Sequence, residues 1–391
     1  MQISIVGGGG RVGLPLAILL AEQGHSIVVV DSDQNRVNLI NSRSMPFVEI
    51  GIGEILLKLR TDQLIATTNN EKIRGSDVCI LIIGTPVNDD GTPSANFIGD
   101  LIIDLSKYLQ SIKLLILRST VYPGITEEIS NIIRENCKET LVAYCPERIA
   151  EGKALEELKL LPQIIGVDSE KAYDIAREVF RGVTPKFIKA TFKEAEITKL
   201  FANTYRYFKF AIANEFFQIC QSNDINWENV WLALKQDYPR GKDLPQPGFA
   251  AGPCLVKDTM QLNYFARNRT ILGKSAININ ENFPEYIVEL LESKYDLKQM
   301  TVGILGMTFK ADVDDFRASL SFKLKNILKS KSEKVLCSDE LLQKDYFISS
   351  EKLIKDSDIV IIATPHSAYS RLIINKPLVD IWRISKSQSI F

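Results

Sequence analysis

Apolar residues along this chain come in short unbroken runs. Each run is followed by a stretch rich in Gly, Pro or hydroxyl side chains, and then by helical spacing. Unbroken apolar runs bounded by such breakers read as strands buried on both faces, with the intervening helices covering a parallel sheet. Residues Gln2–Val6, Ser26–Val30, 78–83, Leu114–Leu117 and 141–143 predict strands, and Leu14, Ala17, Leu20 and Ala21 mark the helix after the first. A last run at 163–167 and its helix finish these elements near position 185. From 193 to 220 the helical pattern is long and free of Gly and Pro. Ile197, Leu200, Phe201 and Phe208 make this helix apolar nearly all round, so it should be buried between domains. Lys199, Asn203, Arg206 and Phe210 share one of its faces, and a buried Lys199 would need a partner or a task. After a Gly/Pro-rich loop at 245–258, helical stretches appear at 262–266 and 284–291. The strand–helix alternation then resumes, with strands at 300–305, 334–337, 359–363 and 377–380 and a helix at 320–328. This predicts a second, smaller α/β domain.

Composition narrows the classes. A chain of 391 residues exceeds one ordinary core and implies two or three domains. A net charge of -1 gives no electrostatic reason to expect nucleic acid or a membrane as partner. Six cysteines without a CxxC pair, and His25 and His366 as the only histidines, argue against a metal site, a disulfide framework and a Ser-His-Asp triad. Unpaired cysteines suit a reducing cytosol. No signal peptide and no membrane span is expected, because no apolar stretch approaches eighteen residues.

Chemistry enters with Gly8, Gly10 and Gly13, a G-x-G-x-x-G spacing set between a strand and a helix. The second strand ends in Asp31. Glycines there make a tight turn and let the backbone approach a pyrophosphate at the helix N-terminus, while the carboxylate accepts from a ribose and disfavours a 2′-phosphate. NAD is therefore the expected cofactor. The fold class expected is α/β, with two Rossmann-like doubly wound domains joined by a central helical region that holds the long helix. The expected division is 1–190 for NAD, 191–297 for the central region and 298–391 for the second α/β domain. That last domain lacks a glycine fingerprint, so a second dinucleotide is not expected in the same mode.

Ligands of open parallel sheets collect beyond the carboxyl ends of the strands. Thr85, Thr120 and Glu147 lie there, although each could equally cap a helix or close a turn. Cys254 sits on the Gly/Pro loop with Lys257 and Asp258 close by, and a neighbouring cation favours the reactive thiolate. A small buried hydrophobe is the alternative for such a cysteine. Lys310 and Arg317 follow the first strand of the second domain, placed to bind an anion or to pair with the aspartates between them. An NAD domain, a Lys/Asn helix and a loop thiol together suggest oxidation with a covalent step. The thiol holds an aldehyde so that a second hydride can leave, and water then releases an acid. Lys199 would stabilise an oxyanion, and Asp258 with Glu147 would move protons or orient water.

In the segments 8–15, 31–37, 84–87, 119–124, 145–148, 199–203, 214–215, 248–258 and 308–317 the chain resembles the UDP-glucose/GDP-mannose dehydrogenase family from end to end. The resemblance implies oxidation of C6 of a nucleotide sugar to a uronate, with two NAD and no metal. It implies Cys254 as nucleophile, assisted by Lys199, Asn203 and Asp258, with Thr120 and Glu147 beside the reacting carbon. Cofactor contacts implied are Gly8, Gly10, Arg11, Val12, Gly13, Asp31, Arg36, Thr85, Pro86, Thr120 and Arg317. Substrate contacts implied are Glu147, Arg148, Lys199, Asn203, Phe249, Gly252, Lys257 and Lys310. The resemblance also implies a homodimer through the central helices and a C-terminal domain that holds the nucleotide. Two departures bear on the sugar. Ala250 and Ala251 replace glycines that many relatives carry, and their methyls would narrow the substrate cradle. Arg148 after Pro-Glu is more like the N-acetylhexosamine branch. A single-step 3-hydroxyacid-type dehydrogenase, or a non-catalytic NAD-binding protein, is the rival expectation.

Overall fold

The computed structural model describes residues 1–85 and 97–391. They form two compact units, Met1–Ala202 and Asn203–Phe391. The first unit is built on one sheet of eight strands: β1 (Gln2–Val6), β2 (Ser26–Val30), β3 (Leu64–Thr67), β4 (Val78–Leu81), β5 (Leu114–Leu117), β6 (Leu141–Tyr144), β7 (Gln163–Gly166) and β8 (Phe187–Ala190). Their order is β3-β2-β1-β4-β5-β6-β7-β8, parallel except between β6 and β7. In register, Ile3 of β1 lies opposite Ile27 of β2 and Val78 of β4. The order reverses between β1 and β4, and the crevice outside such a switch point is where doubly wound sheets take ligands. Strands β4 and β5 are buried along their whole length because helices cover both faces. The sequence reading missed β3 and β8. Both are edge strands with half-exposed, mixed patterns, LIAT and FIKA, which lack the unbroken apolar run.

The helix Phe192–Gln221 opens on a capping box, in which the Thr191 N–H donates to Glu194 Oε2 and the Glu194 N–H donates to Thr191 Oγ1. It is not buried all round as expected. Phe201, Tyr205, Ile212, Phe216 and Ile219 remain 41–58% exposed and follow one another at helical spacing. Arg206 is exposed as well, although Lys199 and Asn203 on the same face are buried. An apolar circumference shows that a helix needs cover; it does not show that its own chain supplies it.

The second unit holds a four-stranded parallel sheet of β9 (Thr301–Leu305), β10 (Lys334–Ser338), β11 (Ile359–Ile362) and β12 (Leu378–Val379), in the order β10-β9-β11-β12. One face packs on Phe283, Ile287, Leu291, Leu320 and Leu324, from the helices Ile271–Glu292 and Leu320–Lys331. Among the described residues no helix is long and apolar enough to cross a membrane.

Candidate active site

The glycine turn is shaped by contact. A Cβ on Gly13 would sit 2.6 Å from Gly8 Cα, so the helix can pack on the turn only without a side chain there. At Gly10 a Cβ would only touch the Gly7 carbonyl oxygen, at 3.7 Å, so this position is far less crowded than Gly13. The helix Gly13–Glu22 that follows has no side-chain N-cap and no acidic residue in its first turn. The Leu14 N–H donates to the Gly10 carbonyl at 2.9 Å and Pro15 has no N–H, so the start of the helix offers an outside acceptor the N–H groups ahead of them. Buried Asp31 accepts from the Gly9 N–H at 2.9 Å and from the Asp33 N–H at 3.0 Å, with Arg36 3.9 Å away. Arg11 lies over the Phe47 ring and 3.9 Å from Glu151. Val12 is half-buried beside it. A helix end without a side-chain cap, an uncrowded Gly10 and a strand-terminal carboxylate fit the diphosphate and adenosine ribose of a dinucleotide. Thr85 donates to the Thr120 carbonyl at 2.8 Å, which ties the loops after β4 and β5 together. Pro86 lies outside the described residues.

Glu196, missed in the sequence, sets the next loop. Its two oxygens accept from the Gly124 and Thr126 N–H groups, each at 2.7 Å, and it is fully buried on the long helix. Burial pushes its carboxyl up against the pull of those donors. It therefore anchors the segment that carries Thr120 to the helix that carries Lys199. The available signal was its spacing, three residues before Lys199.

Glu147 is held on both carboxylate oxygens. Its Oε2 accepts from Nε and Nη2 of Arg118, and its Oε1 accepts from the Arg148 and Ile149 N–H groups at 2.7 and 2.9 Å. Arg118 is itself buried, over the Phe180 ring. Both oxygens of this carboxylate are thus engaged within the loop that follows β6 and by Arg118. The Arg148 guanidinium donates to the Pro162 carbonyl, and burial lowers its pKa. One arm of the expected anion-binding fork is thereby committed to backbone.

In the second unit, Cys254 is the exposed cysteine and the other five are buried. It stands at the N-cap of the helix Leu255–Phe265, where the helix dipole favours negative charge. One turn on, the Asp258 N–H donates to the Cys254 carbonyl at 2.9 Å. Asp258 is 0% exposed, and its Oδ2 accepts from Asn203 Nδ2 at 2.6 Å. Its Oδ1 has no hydrogen-bond partner and lies 3.8 Å from Lys257 Nζ. Lys199 is buried on the same long helix as Asn203, one turn earlier.

The loop before Cys254 is fitted closely. At Gly252 φ is +104°, and a Cβ would lie 2.5 Å from the Phe309 ring. Asn214 holds the other end, accepting from the Gly248 N–H at 2.8 Å and donating to its carbonyl at 3.1 Å. The ring of Phe249, a residue expected to help hold substrate, packs edge-on to Phe283 in the core and is 3% exposed. Only its backbone is available. The Ala250 methyl is buried in the cluster of Tyr207, Ala211 and Ala276, so any narrowing of the cradle falls to the half-buried Ala251. Lys310 is half-buried, and Arg317 is exposed with its guanidinium on Asp315 at 2.6 Å. Of the two sequence alternatives for Arg317, pairing with an intervening aspartate is the one observed.

Three family models cover the chain. They describe the NAD binding domain of the UDP-glucose/GDP-mannose dehydrogenase family at 1–184, its central domain at 193–282 and its UDP binding domain at 303–387. Fold and domain content define an NAD-dependent oxidoreductase. The chain is 32% identical over 370 residues to the UDP-N-acetyl-D-mannosamine dehydrogenase of Methanocaldococcus jannaschii, covering 92% of this chain and 84% of that one. It is 28% identical to the UDP-glucose 6-dehydrogenase of Rickettsia prowazekii, covering 95% and 91%. The solved UDP-D-ManNAc dehydrogenase of Pyrococcus horikoshii superposes with a TM-score of 0.91 at 27% identity, over 100% of this chain and 97% of that one. The chain belongs to the UDP-glucose/GDP-mannose dehydrogenase family.

Proposed function

We propose that the chain oxidises the C6 hydroxyl of a UDP-sugar to the carboxylate in two steps through Cys254. The substrate proposed is a UDP-N-acetylhexosamine of the mannosamine type, with UDP-glucose second. That order follows the relatives' names and Arg148 after Pro-Glu. Bound NAD supplies the hydride acceptor for each oxidation. After the first, the Cys254 thiolate adds to the aldehyde carbon, forming the C–S bond of a thiohemiacetal. Lys199 and Asn203 hold the oxygen as charge develops on it, with Thr120 beside it. Loss of the second hydride leaves a thioester. Water then attacks the thioester carbon and gives one proton to Asp258, the C–S bond breaks to restore the thiolate, and the acid leaves as the carboxylate after losing its second proton to solvent. Glu147 and Arg148 orient the loop beside the substrate, Lys257, Lys310 and Gly252 hold the nucleotide sugar, and Arg317 serves the cofactor.

One observation carries this reading. Exposed Cys254 starts a helix whose first turn holds a fully buried carboxylate with one oxygen on Asn203 and the other without a hydrogen-bond partner. A protein that only binds NAD has no use for that pairing. The test is NADH formed per UDP-sugar consumed: two, with an acidic product, supports the thioester route, and one sinks it. Cys254→Ser should lower uronate formation at least ~1000-fold with NAD affinity unchanged, because serine lacks an accessible anion at neutral pH.

We further propose a cytoplasmic homodimer that covers the exposed stripe of Phe201, Tyr205, Ile212, Phe216 and Ile219. Phe216→Asp should then sediment as a monomer; an unchanged mass would exclude this face.

A further inference from the structure

His366 lies four residues after β11 in the second unit and is 1% exposed. Its Nδ1 accepts from the Asp312 N–H at 2.9 Å, so the ring proton sits on Nε2. That nitrogen lies 3.2 Å from Asp339 Oδ2 and 3.0 Å from Thr308 Oγ1. Asp339 Oδ2 also accepts from the Met307 and Thr308 N–H groups, at 2.5 and 3.1 Å. The Asp312 carboxylate in turn accepts from the Ser367 N–H at 2.9 Å. The stretch 307–312 is thus pinned from the loops after β10 and β11 together.

What this stretch presents is Phe309, whose ring fills the space a Cβ on Gly252 would need, at 2.5 Å. At the far end of the same segment, the Ala318 carbonyl accepts from the Gly252 N–H at 3.1 Å. Asp312 and Ala318 both hold positive φ, 58° and 50°. Side chains adopt that backbone only where their surroundings over-determine it. Gly252 precedes Cys254 by two residues. We propose that His366, with Asp339, is a positioning residue for Cys254: it fixes the 307–318 segment, which in turn fixes the nucleophile's loop through Phe309 and Ala318. This deepens the proposed function and rests on it for the role of Cys254. It implies that the nucleotide-binding domain named by the family model and the reacting sulfur are one mechanical piece.

The test is hydrogen–deuterium exchange of the peptide 248–258, read without substrate. The proteins are the full chain, His366→Ala, Phe309→Ala, the double variant, and Val360→Ala as a core control elsewhere in β11. His366→Ala and Phe309→Ala should each speed exchange of this peptide about tenfold, the double variant no further, and Val360→Ala should not at matched loss of Tm. His366→Gln keeps a donor toward Asp339 and should restore most of the protection, which also covers the case in which His366→Ala fails to fold. With NAD and UDP-sugar, kcat should fall about tenfold in both alanine variants while KM for NAD holds. Exchange equal to the Val360→Ala control, multiplicative effects in the double variant, or no rescue by glutamine in a folded protein would each overturn the proposal. Because exchange needs no turnover, a chain that oxidises no UDP-sugar would refute the proposed function and leave the coupling measurable.

Discussion

Each of the two sheets starts from the same piece of backbone, put to different uses. In the first, the Gly7 N–H donates to the Val30 carbonyl as β1 ends, and Asp31 closes β2. In the second, the Gly306 N–H donates to the Ser338 carbonyl as β9 ends, and Asp339 closes β10. Both carboxylates draw N–H groups from the turn beside them. In the first unit three more glycines and an uncapped helix follow at once, so the crevice stays open. In the second, buried Met307 and Thr308 fill it and His366 lies against the carboxylate. Shared topology offers a dinucleotide site twice, and local side chains leave one open and turn the other into a brace.

The largest effect that would sharpen this contrast is on Gly13. Gly13→Val forces a branched side chain against Gly8 and should weaken NAD binding at least ~100-fold in titration calorimetry. Gly306→Ala meets backbone at 2.6 Å with φ at +88°, so it should lower stability and leave NAD affinity alone. A drop in affinity there would break the contrast. Next comes the carboxylate pair. Asp31→Asn should raise the Kd for NAD about tenfold and narrow the preference over NADP, with little change in stability. Asp339→Asn should keep the Kd and cost roughly 2–4 kcal/mol in urea denaturation, because it breaks a buried hydrogen-bonded charge. Equal effects of the two on NAD would mean that the second carboxylate is no brace. The smallest effect concerns acid. Burial pushes the Asp339 carboxyl up, but the His366 hydrogen bond and backbone donors outweigh it and hold it below the usual range. A depressed carboxyl adds stability above its unfolded value near ~4 and loses it as pH falls through the folded value. The midpoint of unfolding should therefore drop below about pH 4, less steeply in Asp339→Asn.

Local signals were legible in the sequence. The glycine turn, Asp31, the buried runs of the first sheet and the Cys254 loop each declare themselves within a few residues. What escaped depends on partners far along the chain. Arg118 meets Glu147 across 29 residues, Glu196 reaches back 72 to Gly124, and His366 meets Asp339 across 27. The packing of the Phe249 ring on Phe283 was likewise hidden, because the two lie 34 positions apart.

The burial of the other cysteines governs how the chain meets an oxidant. Cys79 and Cys145 have thiols pushed up to about 12, and Cys337 to about 11, while Cys137 and Cys220 are shifted upward by the same loss of solvent. Peroxide reaches the exposed cysteine first. Oxidative damage should therefore concentrate on Cys254, so that activity is lost before the fold is harmed and thiol reductants can recover it from the sulfenic stage. The same inventory supplies a native single-site handle, where one equivalent of a maleimide dye marks Cys254 without any cysteine having to be engineered away.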